Sequence, residues 1–357
     1  MNFFTNKVNK LLSMVSTDMA IDLGTANILV YVKDKGIVLN EPTIVAINKK
    51  TGQLVAVGQE AKFMQGRTPQ HIEVIRPLVD GVISDFEVTE EMLGYLINKV
   101  QGDVRSFVAP RMLIGVPSGI TNVEMRAARD AAKNAGARDV FLIEEPMAAA
   151  VGAKLPINKA AGNMIIDIGG GTTDIAVISL NGIVVAKNLR TAGDHLNSAI
   201  ASYVRDQFKV YVGDKTAEEA KIALASVREG GGENEMVIRG RDVMTGLPRE
   251  VIITANDVKD AVAGQIDGII ESTKAVLEKT PPEVLSDVMQ RGIHVCGGGA
   301  LIPGLSGLLE ENLQVPVIIV PDPLRSVIRG AGVVIENFES YEEILIDNEG
   351  ELSSYST

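Results

Sequence analysis

The chain has 357 residues, 46% of them apolar and 22% charged, a globular balance that excludes a disordered or fibrous class and leaves room for two or more domains. Its 34 basic and 46 acidic residues give a net charge of −12, which argues against wholesale nucleic-acid binding, so no nucleic-acid partner is expected. The single cysteine, Cys296, excludes an internal disulfide; His71, His195 and His294 lack metal-ligand spacing, and no apolar run reaches the roughly 18 residues needed to span a bilayer.

Residues 1–17 open the chain with Phe4, Val8, Leu11, Leu12 and Val15 on one helical stripe, Phe3 beside it, and Lys7 and Lys10 off it. A signal peptide would need an uninterrupted apolar region and a small-residue cleavage site, and neither is present. Two readings stay open: a helix docked on the protein's own surface, or an interfacial helix lying in a membrane.

Residues 36–57 read as strand-rich, broken at Asn40-Glu41-Pro42 and again at Lys49-Lys50-Thr51-Gly52. Residues 58–76 read as a small helical or loop insertion, and residues 88–100 as a helix with Met92, Leu93, Leu96, Ile97 and Val100 apolar. The following loop carries Phe107 and Val108. A buried strand over 112–116, a helix over 121–134 and a strand over 140–143 lead into Glu144-Glu145-Pro146 and three alanines. Pro146 suits a first helical turn and the alanines permit close packing. Residues 187–254 read as an inserted subdomain with helices near 196–210 and 217–227 and a turn-rich region through Gly230, Gly231 and Gly232. Helices follow at 257–277, 305–311 and 324–338, with strands at 294–296 and 315–320 and an acidic tail. Strands alternating with helices in this way indicate an α/β chain with mixed sheets.

Residues 164–178 organise the rest. An apolar lead-in meets Asp167, then Gly169, Gly170 and Gly171, two threonines, and a second apolar strand. Glycines let a backbone turn tightly and aim successive N–H groups at one spot, a cradle for phosphate, and an Asp at the strand end is placed to hold hydrated Mg²⁺. The same order recurs at residues 20–31, where Asp22-Leu23-Gly24 matches Asp167-Ile168-Gly169. A repeat of such long period implies two similar halves rather than a solenoid. Two such halves would face each other across a cleft that takes a nucleoside triphosphate with Mg²⁺.

Four pieces point to that ligand: the two Asp-x-Gly hairpins, the helix start at Glu145, and the turn Gly297-Gly298-Gly299. In this order they resemble the superfamily of actin, sugar-kinase and heat-shock-chaperone ATPases. Over essentially the whole chain the likeness is to the MreB family of bacterial actins. The resemblance implies an α/β actin-like ATPase fold: two duplicated ribonuclease-H-like domains, each with a smaller inserted subdomain, and a nucleotide cleft between them. It divides the chain into an N-terminal amphipathic helix (1–17), subdomain IA (18–46, 77–151 and 326–357), IB (47–76), IIA (152–186 and 255–325) and IIB (187–254).

By the same resemblance, Gly24, Thr25, Ala26 and Asn27 form the first phosphate loop and Gly169, Gly170, Gly171 and Thr172 the second. Asp22 and Asp167 hold Mg²⁺ through water; Glu145 orients the attacking water and Thr172 helps to align it. Glu218 and Lys221 match the residues that contact ribose and base, although an i,i+3 pair of this kind also reads as a solvated surface pair. Gly297, Gly298, Gly299 and Ala300 pass under the adenine. Gly193 is a weaker phosphate contact, because Ala192 stands where the family shows a second glycine, and Asp174 replaces a common Glu. The membrane contacts implied are Phe3, Phe4, Val8, Leu11 and Leu12 of the N-terminal helix and Phe107.

The function implied is that of an ATP-binding, slowly hydrolysing, Mg²⁺-dependent cytoskeletal protein. Its homopolymeric filaments, with protofilaments paired, lie on the inner face of the cytoplasmic membrane, meet the membrane proteins of the elongation complex, and organise wall synthesis that maintains rod shape. A chaperone ATPase would need a peptide-binding domain after the last helix, and a sugar or acetate kinase would need an Asp where Glu145 stands.

Overall fold

The computed structural model describes residues 17–102, 109–228 and 234–346. The N-terminal stripe with Phe3, Phe4, Val8, Leu11 and Leu12, the loop residue Phe107, the turn at Gly230, Gly231 and Gly232, and the tail from Asp347 lie outside the described residues. Two compact units make up the chain: Met1–Lys159 with Leu180–Ile183 and Arg325–Thr357, and Ala160–Ser179 with Val184–Leu324.

The first unit begins with three antiparallel strands, β1 (Met19–Leu23), β2 (Asn27–Val32) and β3 (Gly36–Pro42). Asn40-Glu41-Pro42 forms the end of β3, and the break expected there falls directly after it, at residues 43–44. Pro42 pairs with Asn27 at the strand terminus, a position that tolerates proline. A small three-stranded sheet follows, built from β4 (Val45–Asn48), β5 (Leu54–Val57) and β6 (Ile72–Ile75) in the order β5-β4-β6. The helix Gln59–Met64 covers it and buries Ala61 with Ile44, Ala46 and Ala56. The hairpin β7 (Leu78–Val79) and β8 (Val82–Ile83) returns the chain. Strands β9 (Arg111–Val116) and β10 (Asp139–Glu144) add parallel to β1, giving the sheet order β3-β2-β1-β9-β10.

The helices of this unit start where their caps dictate. Asp85 accepts the Val88 N–H and starts Phe86–Gln101; Thr121 and Glu124 form a reciprocal capping box on Asn122–Asn134. Their apolar faces, Met92, Leu93, Leu96 and Ile97 on one and Met125, Ala128, Ala131 and Ala132 on the other, form one core with Met19, Ile21, Met112 and Ile114 of the sheet.

The second unit repeats this plan. Strands β11 (Asn163–Ile168), β12 (Thr173–Ser179) and β13 (Gly182–Leu189) run antiparallel before the insertion. The insertion holds the helices Gly193–Phe208 and Asp214–Leu224 and the sheet β14 (Val210–Tyr211), β15 (Glu235–Asp242) and β16 (Pro248–Thr254). The long helix Ala255–Lys279 starts on a Thr254/Asp257 capping box. After it, β17 (Ile293–Cys296) and β18 (Val317–Ile319) complete the order β13-β12-β11-β17-β18, strand for strand that of the first unit. Strand β18 is shorter than its apolar run, because Pro316 has no N–H to place in a ladder. The helix Pro282–Arg291 gathers Val284, Leu285, Val288 and Met289 on one face, of which only Val288 is fully buried.

The last helix, Ser326–Glu336, returns to the first unit and crosses Glu145–Gly152 at very short range. A Cβ on Gly330 would overlap the Ala148 carbonyl, and one on Gly152 the Ser326 carbonyl. The run of small residues at 148–150 lets the two backbones meet, as its composition predicts, and fixes the direction in which Glu145 leaves the sheet.

Candidate active site

In the first unit, the carboxyl ends of β1, β9 and β10 bring three predicted or neighbouring residues into one row. Asp22 on β1 is in register with Gly115 on β9, and Gly115 with Ile143 on β10. Glu145 then opens its helix with Pro146 as the next residue, and its side chain is buried. A Cβ on Gly115 would lie 3.6 Å from Glu145 Cγ, so the Glu145 side chain crosses the space that this glycine leaves open beside Asp22. Gly115 was not singled out from the sequence, although a glycine inside an apolar strand is the signal for such a close approach. Burial pushes the Asp22 carboxyl up to about 7. A cation placed beside it would act in the opposite sense, by favouring the ionised form.

The turn after Asp22 is held by Thr43 and Gly81. Thr43 donates its hydroxyl to the Gly24 carbonyl at 2.6 Å and its N–H to the Ala26 carbonyl at 3.0 Å. The Gly81 N–H donates to the Thr25 hydroxyl oxygen at 2.8 Å, which leaves the Thr25 proton to be donated elsewhere. Thr25 is buried, whereas Ala26 and Asn27 are exposed. Among the described residues no backbone acceptor takes the Thr25 or Ala26 N–H. Thr43 and Gly81 lie 17 or more positions from the residues that they brace, beyond the reach of a local pattern.

In the second unit, Asp167 is buried at the end of β11, in register with Asp174 on β12 and Cys296 on β17. The turn that follows closes with the Gly169 N–H on the Thr172 carbonyl at 2.9 Å. It is then docked on the start of the next helix: Gly193 N–H donates to the Gly169 carbonyl at 3.2 Å and Asp194 N–H to the Gly170 carbonyl at 2.8 Å. The Gly193 N–H is thus engaged within the protein, and a Cβ there would lie 3.3 Å from both the Gly169 carbonyl oxygen and Lys221 Nζ. Among the described residues no backbone acceptor takes the N–H of Gly170 or Gly171. Thr172 is buried, and Thr173 donates its hydroxyl to the Thr191 carbonyl at 2.7 Å.

Lys221, half-buried, donates from Nζ to the Gly193 carbonyl at 2.9 Å, which brings its charge to this same loop, with Glu218 one turn earlier on the same helix. Gly297 has a left-handed φ of 78°, and a Cβ there would strike the Ile168 carbonyl oxygen and Asp167 Oδ1. Its neighbours Gly298, Gly299 and Ala300 begin a 3₁₀ turn over Gly298–Leu301, in which Gly298 is exposed and Gly299 and Ala300 are buried. Cys296 is buried, as expected of a small strand residue. Each unit therefore presents one Asp at a strand end and a turn in which two N–H groups, those of Thr25 and Ala26 or of Gly170 and Gly171, meet no backbone acceptor among the described residues.

Among the described residues no group of three or more His, Cys, Asp or Glu side chains is placed to hold a metal ion. A site with one or two carboxylates suits Mg²⁺, which keeps its waters and leans on phosphate oxygens, rather than a metal needing a full protein cage.

Comparison with known proteins agrees with this geometry. The family model described as MreB/Mbl protein matches residues 16–343. The chain is 49% identical over 327 residues to the cell shape-determining protein Mbl of Bacillus cereus, covering 91% of this chain and 98% of the relative. Among solved structures, MreB5 of Spiroplasma citri bound to ADP superposes with a TM-score of 0.85 at 38% identity, over 91% of this chain and 98% of that one. The MamK double helical filament superposes with a TM-score of 0.76 at 25% identity, over 89% and 99%.

Proposed function

The chain belongs to the MreB/Mbl family of actin-like proteins, and on that premise we propose that it binds ATP with Mg²⁺, hydrolyses it slowly, and assembles with copies of itself into filaments that determine cell shape. The observation that carries this reading is the duplication: two sheets of one strand order, each ending in an Asp and a glycine turn, with Glu145 opening the helix that follows β10 in the first.

In this reading the two half-sites take one nucleotide. Residues 24–27 and 169–172 receive the phosphates through backbone N–H groups and the hydroxyls of Thr25 and Thr172. Asp22 and Asp167 hold Mg²⁺ through water. That ion, when bound, supplies charge neutralisation for phosphoryl transfer. Glu145 orients the attacking water; burial and the space above Gly115 hold its carboxylate in one place, and such positioning is the main contribution a protein makes to this reaction. Glu218 and Lys221 flank the ribose and base, and Gly297, Gly298, Gly299 and Ala300 pass beneath the adenine. MreB5 of Spiroplasma citri bound to ADP and the MamK double helical filament support the nucleotide and the polymer respectively.

Among the described residues no helix is long and apolar enough to cross a membrane. Membrane attachment is assigned to Phe3, Phe4, Val8, Leu11, Leu12 and Phe107, on the inner face of the cytoplasmic membrane beside the elongation-complex proteins of wall synthesis. One short amphipathic helix binds weakly, and repetition along a filament multiplies it. Deletion of residues 1–17 together with Phe107→Ser should abolish co-sedimentation with liposomes and leave ATP-dependent light scattering intact; unchanged liposome binding would refute the attachment. For the chemistry, Glu145→Ala should bind ATP normally and release phosphate at least about a hundred-fold more slowly, the scale expected when a positioned acid or base is lost. Wild-type phosphate release in that variant rules the assignment out.

A further inference from the structure

Beyond nucleotide binding, the first unit carries a groove of about 600 Å³ between the helix Asn122–Asn134 and the edge strand β10. Four cationic side chains line it, Arg126, Arg129, Lys133 and Arg138, against two acidic ones, Asp130 and Asp139. This basic site lies in a protein of net charge −12. Arg126, Arg129 and Lys133 are spaced i, i+3 and i+7, one face of the helix. Arg138 bonds Asp139 through Nε at 2.9 Å, but its two terminal nitrogens are buried with no hydrogen-bond partner among the described residues. Buried guanidinium donors of this kind call for an acceptor, and a carboxylate suits them best.

The chain itself delivers such groups to the mouth of the groove. Ile346 forms a single antiparallel bridge with Leu142 on the outer edge of β10; its N–H bonds the Leu142 carbonyl at 2.9 Å, and its own carbonyl accepts from Arg129 at 3.4 Å. The next five residues, Asp347-Asn348-Glu349-Gly350-Glu351, hold three carboxylates and no cation. Alternate residues of an extended segment share a face, so all three carboxylates can point one way. Extended, these five residues reach about 17 Å, more than the roughly 10 Å of helix axis from Arg126 to Lys133.

We propose that the acidic segment 347–351 docks in this groove of its own chain, leaving the β10 edge after Ile346 and setting its carboxylates against Arg126, Arg129, Lys133 and Arg138. The segment thereby covers the exposed face of the helix Asn122–Asn134 and the outer edge of β10, and any acidic partner of that face must displace it.

The test is zero-length carbodiimide crosslinking of the full-length protein, nucleotide-free and at low ionic strength, followed by mass spectrometry of the monomer band. The expected product joins Lys133 to Asp347, Glu349 or Glu351 within one chain. Its yield should fall about three-fold in Arg126→Glu, an exposed position whose change leaves the fold intact by circular dichroism, and fall similarly in high salt. Links found only between copies, tail links to other lysines in place of Lys133, or a yield indifferent to both Arg126→Glu and salt would each overturn the proposal.

Discussion

The two Asp-bearing hairpins share a strand order and a register but are braced in different ways. In the first unit, side chains do most of the bracing: the Thr43 hydroxyl holds the Gly24 carbonyl and the Thr25 hydroxyl takes the Gly81 N–H, with one backbone bond from the Thr43 N–H to the Ala26 carbonyl. In the second unit backbone does most of it: the turn is tied to the Gly193 and Asp194 N–H groups and Gly297 is wedged against Ile168 and Asp167, with Lys221 reaching the Gly193 carbonyl from outside. The partner in register also differs. Asp22 faces Gly115, which makes room for Glu145, whereas Asp167 faces Cys296, which is followed by the Gly297 turn. One duplicated frame thus carries a buried carboxylate, Glu145, beside one strand end and a backbone-packed glycine turn beside the other. Side-chain bracing tolerates substitution by degrees; backbone contact does not.

That contrast sets the order of expected effects. Gly297→Ala should be the most damaging, because a Cβ there meets backbone at a left-handed φ; a loss of about 3 kcal/mol, seen as a fall in Tm together with loss of nucleotide affinity, is expected. A Tm within a degree of the parent breaks the comparison. Gly115→Ala should separate function from stability. Its Cβ would make ordinary contacts, 3.5 Å to Val327 and 3.6 Å to Glu145, so Tm should barely move while phosphate release drops about three-fold, because the added methyl restricts how the Glu145 side chain can adjust. Unchanged turnover in a folded Gly115→Ala protein removes Gly115 from the site.

Thr25→Ala should cost about 1 kcal/mol of stability, the price of stranding the Gly81 N–H, and Thr25→Ser should restore it; equal Tm values for the two variants contradict the brace. The smallest effect belongs to the β15–β16 hairpin of the inserted part of the second unit. Asp242 accepts the Met244 and Thr245 N–H groups and pairs with Arg249, and the Thr245 N–H, the largest influence, helps to hold its carboxyl down to about 2. A depressed carboxyl pKa means that the contribution is complete above the ordinary value near 3.8 and is lost as pH falls toward 2. Hydrogen exchange at residues 243–247 should therefore accelerate only below about pH 4 relative to the rest of the sheet. Acceleration already at pH 6 argues against this cap.

Much of this was legible in the residues because the repeat is local. Asp22-Leu23-Gly24 and Asp167-Ile168-Gly169 each announce a strand end and a turn within a few positions, and Pro146 with the alanines announces the helix that carries Glu145. The braces were illegible for the opposite reason. Thr43, Gly81 and Gly115 acquire their roles from register across the sheet, and no spacing along the chain encodes that Gly115 stands opposite Asp22. Strand β13 is hard to read because most of it is half-exposed, and the helix Pro282–Arg291 because it is short and opens on the Pro281-Pro282 pair, which along the chain reads as a loop. At β3, Pro42 reads as a breaker yet ends a strand, since a terminal position asks for no donor.

The central claim is that both half-sites serve one nucleotide. A double-mutant cycle in MgATP titration calorimetry tests it, using Asp22→Asn, Asp167→Asn and the two combined. The account predicts one nucleotide bound per chain, weaker affinity in each single variant, and a double variant whose loss departs from the sum of the two, since groups acting on one shared ion are coupled. Two independent binding events, or strictly additive losses from carboxylates that never meet the same ligand, would contradict it.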